Sequence, residues 1–396
     1  MLYDNIDNDA LWWEVITGPS RVVKTLVSEL TGSRSVFLKI FRDLPWRETM
    51  RHCVEYRLLE QRPEMSIEYI DCTDEDNDPA LEPGRYLLER CCENVRVAHA
   101  YREGYRNENG RGGIVQYLRD KRVLKNRVLW LKGLREEHVD RWMQFCARYE
   151  PDGDPGGLFV VESSFDVPKG PLPAHIVRCD CEKTITPHDT LLFCSWLSAR
   201  SNAGNGWKQY TAALASTLFM HDAEVAAFFI ENTDFCTEAP VDRIYRLLAE
   251  RNFDDRRGAV AEEFEAEPHT LYLARNRQTP EIERRVWKSQ LQFAFPLIEE
   301  ERVDFIKKYK EEVRSSLLQT GQDLRWYGRQ VTEPLEAELG LLVQLMKMER
   351  ENGTALLPNN EDSRRMNFLH SVRNNLAHMR CCSPKTLAKL FDNRGS

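Results

Sequence analysis

No stretch of this chain reaches the roughly 18 to 20 consecutive apolar residues needed to cross a bilayer. The opening segment MLYDNIDNDALWWEV is acidic and lacks the basic start and small-residue cleavage site of a secretory signal. The expectation is a cytoplasmic protein with no membrane partner. A disulfide framework is also missing, because eleven cysteines are an odd number spread over 396 residues, which suits reduced thiols. Cys91 and Cys92 are adjacent, as are Cys381 and Cys382, and Cys179 and Cys181 stand two apart. No second pair or spaced histidine pair completes a zinc set, so no metal is expected. Nor is there a basic excess: a formal charge of −8 argues against a surface that grips nucleic acid throughout, while leaving room for a local basic site. The clusters DKRVLKNR (120–127) and ERRVWKSQ (283–290) read as solvated faces of loops or helices. No internal repeat or low-complexity tract stands out.

What the chain does contain is core material. It has 42% hydrophobic residues and nine tryptophans, enough for two or three packed domains. In the first 166 residues, β-rich runs alternate with amphipathic stretches. The runs are LWWEVITG (11–18), SVFLKIF (35–41), SIEYIDC (66–72), RVLWLKGL (127–134) and GLFVVESS (157–164), and between them lie helical patterns such as WRETMRHCVEYRLLE and EEHVDRWMQFCARY. Strands separated by helices of that length predict βαβ units, hence an α/β domain around a mostly parallel sheet. Acidic loops are expected at 72–84 and 149–157, and a proline-punctuated linker at 167–175.

A further β-rich run, IVRCDCEKTIT, then leads into helical segments with apolar residues three and four apart. These form a helical, winged-helix-like module over 167–268. The acidic piece 254–269 marks the next boundary. From 269 to the end the period is helical throughout. Thr279 is the expected N-cap of a long helix with Pro280 in its first turn, and Pro296 is expected to kink or divide that helix. Further helices are predicted over about 333–349 and 362–378. A last one is capped by Ser383 and has Pro384 at its first position. Trp287, Leu291, Phe295 and Ile298 form a stripe at helical spacing, which reads as core or a dimer seam.

Two motifs carry chemistry. Gly18 is placed at the end of the first run, and Lys24-Thr25 follow it at the spacing of the phosphate-binding loop G-x-x-x-x-G-K-[ST]. Val23 stands where that loop needs its second glycine, and a β-branched residue cannot open the backbone around a phosphate. The run RVLWLKGL, which would supply an acid for magnesium, ends in Lys132 and Gly133. Ser163-Ser164 close the run GLFVVESS and read as strand termination. The pattern resembles the STAND branch of AAA-like P-loop NTPases, in its inactivated members from prokaryotic conflict systems. That resemblance implies ATP as the cofactor of an intact member and Gly18, Lys24 and Thr25 as its binding residues. The departures at Val23 and Lys132 make the expectation no cofactor and no ATPase activity.

The second motif lies in FLHSVRNNLAHMRCC (368–382), where Arg373, Asn374 and His378 offer a fixed cation, an amide and a titratable imidazole. Arg373-Asn374-Asn375-Leu376-Ala377-His378 resembles the R-polar-x-x-x-H signature of HEPN domains, helical bundles many of which are metal-independent ribonucleases. That family pairs two protomers around the arginine and histidine. The resemblance therefore implies a homodimer and RNA as substrate, with His378 as general acid or base, Arg373 stabilising the charged phosphorane, and Asn374 orienting the group. His370, eight residues before His378, reads as helix surface. The expectation is an anti-phage defence protein acting with partner proteins of its system. Two other readings stay open: a non-enzymatic adaptor whose bundle dimerises, and an ATP-dependent switch.

Overall fold

The computed structural model describes residues 7–73, 82–150, 156–166, 171–250, 268–319, 331–353, 356–358 and 360–391. The loops, linker and boundary expected at 72–84, 149–157, 167–175 and 254–269 fall wholly or partly outside the described residues. The chain divides into two compact units. One comprises residues 1–193 with 221–224, and the other comprises 194–220 with 225–396.

The first unit begins with a short helix, α1 (Asn8–Ala10), which continues as a π-helical turn, Leu11–Val15, and then as α2 (Thr17–Thr31). The first expected strand is therefore helical. Leu11, Trp12 and Trp13 are consecutive and all buried, and an unbroken apolar run fits a buried helix as well as a strand. The remaining β-rich runs are strands: β1 (Ser35–Lys39), β2 (Ser66–Asp71), β3 (Arg127–Lys132), β4 (Leu158–Ser163) and β5 (Ile176–Asp180). All pairings are parallel, in the order β2-β3-β4-β1-β5. Position sets burial here. Every residue of central β4 is buried, whereas edge strand β2 buries only Ile70. Strands covered on both faces read as continuous apolar runs.

The connecting helices are α3 (Arg47–Gln61), α4 (Pro83–Cys91), α5 (Val95–Ala100), α6 (Gly113–Asp120), α7 (Glu136–Arg148) and α8 (Cys181–Thr184). Side chains alternate across the strands, so Phe37, Leu129, Leu131, Phe159 and Val161 face one way and pack with Val139, Trp142 and Cys146 of α7. Trp130 and Glu162 face the opposite way and meet α3, where Arg51 binds Glu162. Each fully buried large side chain of this kind stabilises the fold by about 1.5 to 3 kcal/mol.

The helix α9 (Pro187–Ala199) leads on to α10 (Asn205–Phe219), α11 (Ala223–Glu231), α12 (Pro240–Glu250) and α13 (Thr270–Arg275). The C-terminal helices are α14 (Thr279–Lys308), α15 (Lys310–Gln319), α16 (Leu339–Asn352), α17 (Glu361–Ala377) and α18 (Pro384–Phe391). In this second unit α14 is the spine, packing against α10, α13 and α17, while α16 packs on α17.

One local expectation is narrowed and two change. α14 runs through Pro296 as one element, so the proline does not divide it. Thr279 is its first helical residue, not its cap, and its hydroxyl pairs with Tyr245 at 2.6 Å. In the cluster at 283–290, Arg285 is buried rather than solvated, donating to Thr270 Oγ1 at 2.9 Å and the Pro268 carbonyl at 2.6 Å. Ser383 does cap α18, accepting from the Thr386 amide at 3.3 Å. Among the described residues no cysteine forms a disulfide, and no helix is long and apolar enough to cross a membrane.

Candidate functional site

The phosphate-loop candidates do not form a loop. Gly18, Lys24 and Thr25 all lie within α2, because no strand precedes Gly18. The Gly18 amide donates at 2.8 Å to Asp189 Oδ1, and a Cβ on Gly18 would stand 2.4 Å from Asp189 Oδ2 and 2.8 Å from the Thr184 carbonyl oxygen. Glycine is needed there for the close approach of this carboxylate. The protein's own anion thus occupies the Gly18 amide at the N-terminus of α2, a place that would otherwise favour a phosphate. Lys24 is exposed on the next turn, where it lines a shallow cleft of about 260 Å³ with Val27, Ser28, Thr31, Arg57 and Gln61.

Ligands of open α/β sheets bind outside the carboxyl ends of the strands where connections leave in opposite directions. In this sheet that place is between β1 and β4, since β1 connects to β2 on one side and β4 to β5 on the other. The segment leaving β1 is Ile40-Phe41-Arg42-Asp43-Leu44-Pro45-Trp46, followed by α3. It contains no glycine, and Pro45 has no N–H to offer. Trp46 takes the left-handed conformation at φ 44°. Trp13 Nε1 donates to the Pro45 and Trp46 carbonyls at 3.2 and 3.0 Å, and Arg47 donates into the Arg42 carbonyl. At the end of β3, Lys132 pairs with Asp71 at 3.3 Å. The Asp71 carboxyl is held below its usual range, first by the Thr73 hydroxyl and also by Lys132. Ser163 is buried; its hydroxyl bonds the Phe165 carbonyl at 3.2 Å and accepts from the Phe165 amide at 3.0 Å, closing the turn after β4.

The C-terminal motif lies at the end of α17. α17 starts at Asn360, whose side chain accepts from the Ser363 amide, and it buries Met366, Leu369, Val372 and Leu376. That apolar stripe leaves His370, Arg373 and Asn374 half-buried, with His378 exposed. The helix ends by a Schellman arrangement: Arg380 N–H bonds the Asn375 carbonyl at 2.9 Å and Met379 N–H the Leu376 carbonyl at 3.1 Å. Met379 sits at φ 57°, where glycine is usual. The left-handed turn takes His378, the last residue before it, off the helical progression. Trp287 of α14 fixes the same end by donating to the Leu376 carbonyl at 2.6 Å.

Around this end, Asn374 Nδ2 lies 3.1 Å from His370 Nε2. Burial holds the His370 imidazole below its ordinary range, and the Arg373 guanidinium pushes it the same way. Sequence reasoning missed His370 as part of this cluster, although its four-residue spacing to Asn374 is the signal that two residues share a face. Among the described residues the Arg373 guanidinium forms no hydrogen bond or ion pair, and its charge bears on the His370 imidazole. The arrangement offers an uncompensated cation, a fixed amide and an exposed imidazole at one helix end, a set suited to holding an anion and moving a proton. Among the described residues no three His, Cys, Asp or Glu side chains cluster as metal ligands. Comparison with protein-family models, with curated proteins and with solved structures gives no match in any of the three.

Proposed function

We propose that the helical unit binds and cleaves RNA through Arg373, Asn374 and His378, as a HEPN-like module of a cytoplasmic prokaryotic defence protein. The α/β unit serves it as a scaffold that does not use nucleotide. The observation that supports this most is the Arg373 charge left without a carboxylate beside two polar side chains and within five residues of an exposed histidine. A phosphodiester supplies the missing anion.

In the reaction, the ribose 2′-oxygen bonds to phosphorus as the P–O5′ bond breaks. The products are a 2′,3′-cyclic phosphate and a 5′-hydroxyl. His378 moves the proton, and Arg373 balances the charge gathering on the phosphorane oxygens. Two copies of the chain would bring two such sets to one cleft. The adaptor reading keeps one observation in its favour: Trp287, Leu291 and Phe295 of the α14 stripe are only half-buried, as a seam awaiting a second copy would be.

The deciding experiment incubates the full chain with single-stranded RNA in excess EDTA and analyses product ends. Cyclic-phosphate products should appear and fall by about 10² to 10⁴-fold in His378→Ala. Arg373→Ala should lose RNA affinity as well as rate. A purified dimer that yields no products, or products unchanged by His378→Ala, overturns the nuclease reading and leaves assembly as the role of the bundle.

A further inference from the structure

We infer that His370 is a positioning residue for Asn374: its unprotonated Nε2 accepts the Asn374 amide and turns the Asn374 oxygen toward the ligand. The inference rests on the RNA reading above for its ligand, but not for its geometry. An amide nitrogen can only donate, so at 3.1 Å from Asn374 Nδ2 His370 Nε2 must be the acceptor. The ring proton then belongs on Nδ1. With its nitrogen committed to His370, the Asn374 side chain presents Oδ1, an acceptor matched to a hydroxyl donor such as the ribose 2′-OH.

The surroundings keep His370 in the form that can accept. Arg373, one turn away, is the charged group set against it, and no charged group of α14 or α16, the helices packed on α17, bears on it among the described residues. A cation beside an imidazole disfavours a second positive charge. Protonating Nε2 would replace the acceptor with a donor and release the amide.

A second catalytic base is the obvious other role for this imidazole, and distance argues against it. Eight residues of helix separate His370 from His378, a rise of about 12 Å, whereas the attacking and leaving oxygens belong to one phosphodiester. His370 therefore acts through Asn374 rather than on the scissile bond.

The test uses the full chain with ¹⁵N-labelled histidine and asparagine. The Nδ1–H tautomer is expected for His370, together with Asn374 side-chain amide shifts that follow the His370 titration. An Nε2–H tautomer, or Asn374 shifts indifferent to that titration, overturns the inference whether or not RNA is cleaved. The second arm measures affinity for single-stranded RNA. His370→Gln supplies an amide oxygen as acceptor and should stay close to wild type. His370→Leu should lose roughly tenfold, at unchanged helix content by circular dichroism. If His370→Leu binds and cleaves as wild type, the positioning role is wrong while the nuclease reading stands. If the full chain neither binds nor cleaves RNA but the two signals titrate together, the nuclease reading fails and the His370–Asn374 coupling stands.

Discussion

Glu162 accepts hydrogen bonds from Arg51 Nε at 3.0 Å, Arg51 Nη2 at 2.7 Å and Trp130 Nε1 at 2.8 Å, so a carboxylate on the most buried strand has its oxygens filled from two side chains. Arg51 is 8% exposed and Glu162 3%. Burial works against the Arg51 charge, yet the hydrogen bonds and charge of Glu162 outweigh it and hold the guanidinium above its usual value. Taking two charges out of water costs several kcal/mol per ion, and breaking such a pair strands the survivor. Arg51→Ala should therefore destabilise the protein by about 3 to 5 kcal/mol, read as a lower urea midpoint with Trp130 contributing to the fluorescence signal. Removing both charges, as Arg51→Met with Glu162→Leu, should recover most of the loss, because no stranded charge remains. A single variant as stable as wild type would mean that water reaches Glu162.

At the scale of elements, legibility followed how much of a signal was local. Runs with β-branched and aromatic residues bounded by turns, such as SVFLK and LFVVES, are strands at nearly the expected limits. The Ser383 cap with Pro384 behind it is a short-range code and is seen as expected. LWWEV failed because two adjacent tryptophans carry no period, and the surroundings that bury both are not written beside them. Gly18 failed with it: a phosphate loop needs a strand before it, and the partner that makes glycine necessary, Asp189, lies 171 residues away. The helix expected over about 362–378 is α17, Glu361–Ala377, although Met379 holds the left-handed position beyond its end without the glycine that would announce it.

Connections between elements also carry titratable groups. His221, in the connection from α10 to α11, packs tilted against Phe41 with ring centroids 5.5 Å apart, and its Nδ1 has no partner among the described residues. Burial lowers its pKa, partly offset by Glu182 and Asp189. The folded value thus lies below the unfolded one, so the unfolded chain binds more protons between the two. Stability should be unaffected by this group above the ordinary histidine range near 6.5 and should fall as pH drops through it toward the folded value. The melting temperature from pH 7.5 to 5.5 is the measurement. His221→Leu should flatten the decline, and an equally steep decline in that variant would assign the pH sensitivity elsewhere.

For the whole molecule, the question is whether the α/β unit does chemistry or holds shape. Its five-stranded parallel sheet places β1 beside β4, where ligands of open α/β sheets bind, but fold alone does not establish a ligand. Each feature that would hold a triphosphate is filled or altered. Asp189 takes the Gly18 amide at the N-terminus of α2, the segment leaving β1 lacks glycine and is fastened by Trp13 and Arg47, and Lys132 stands against Asp71 where a magnesium ligand is wanted. Seating a triphosphate there would require breaking those contacts and desolvating a phosphate among backbone carbonyls, without a row of amides to receive it. The full chain should accordingly show no saturable binding of labelled ATP with Mg²⁺ at millimolar concentration. Lys24→Ala should leave that result unchanged, since Lys24 is exposed on the second turn of α2 and lines the shallow cleft with Arg57 and Gln61. RNA cleavage should proceed at the same rate with and without ATP. Saturable ATP binding abolished by Lys24→Ala would instead make the α/β unit an ATP-dependent switch, with the shallow cleft beside α3 as the place to look for its phosphate.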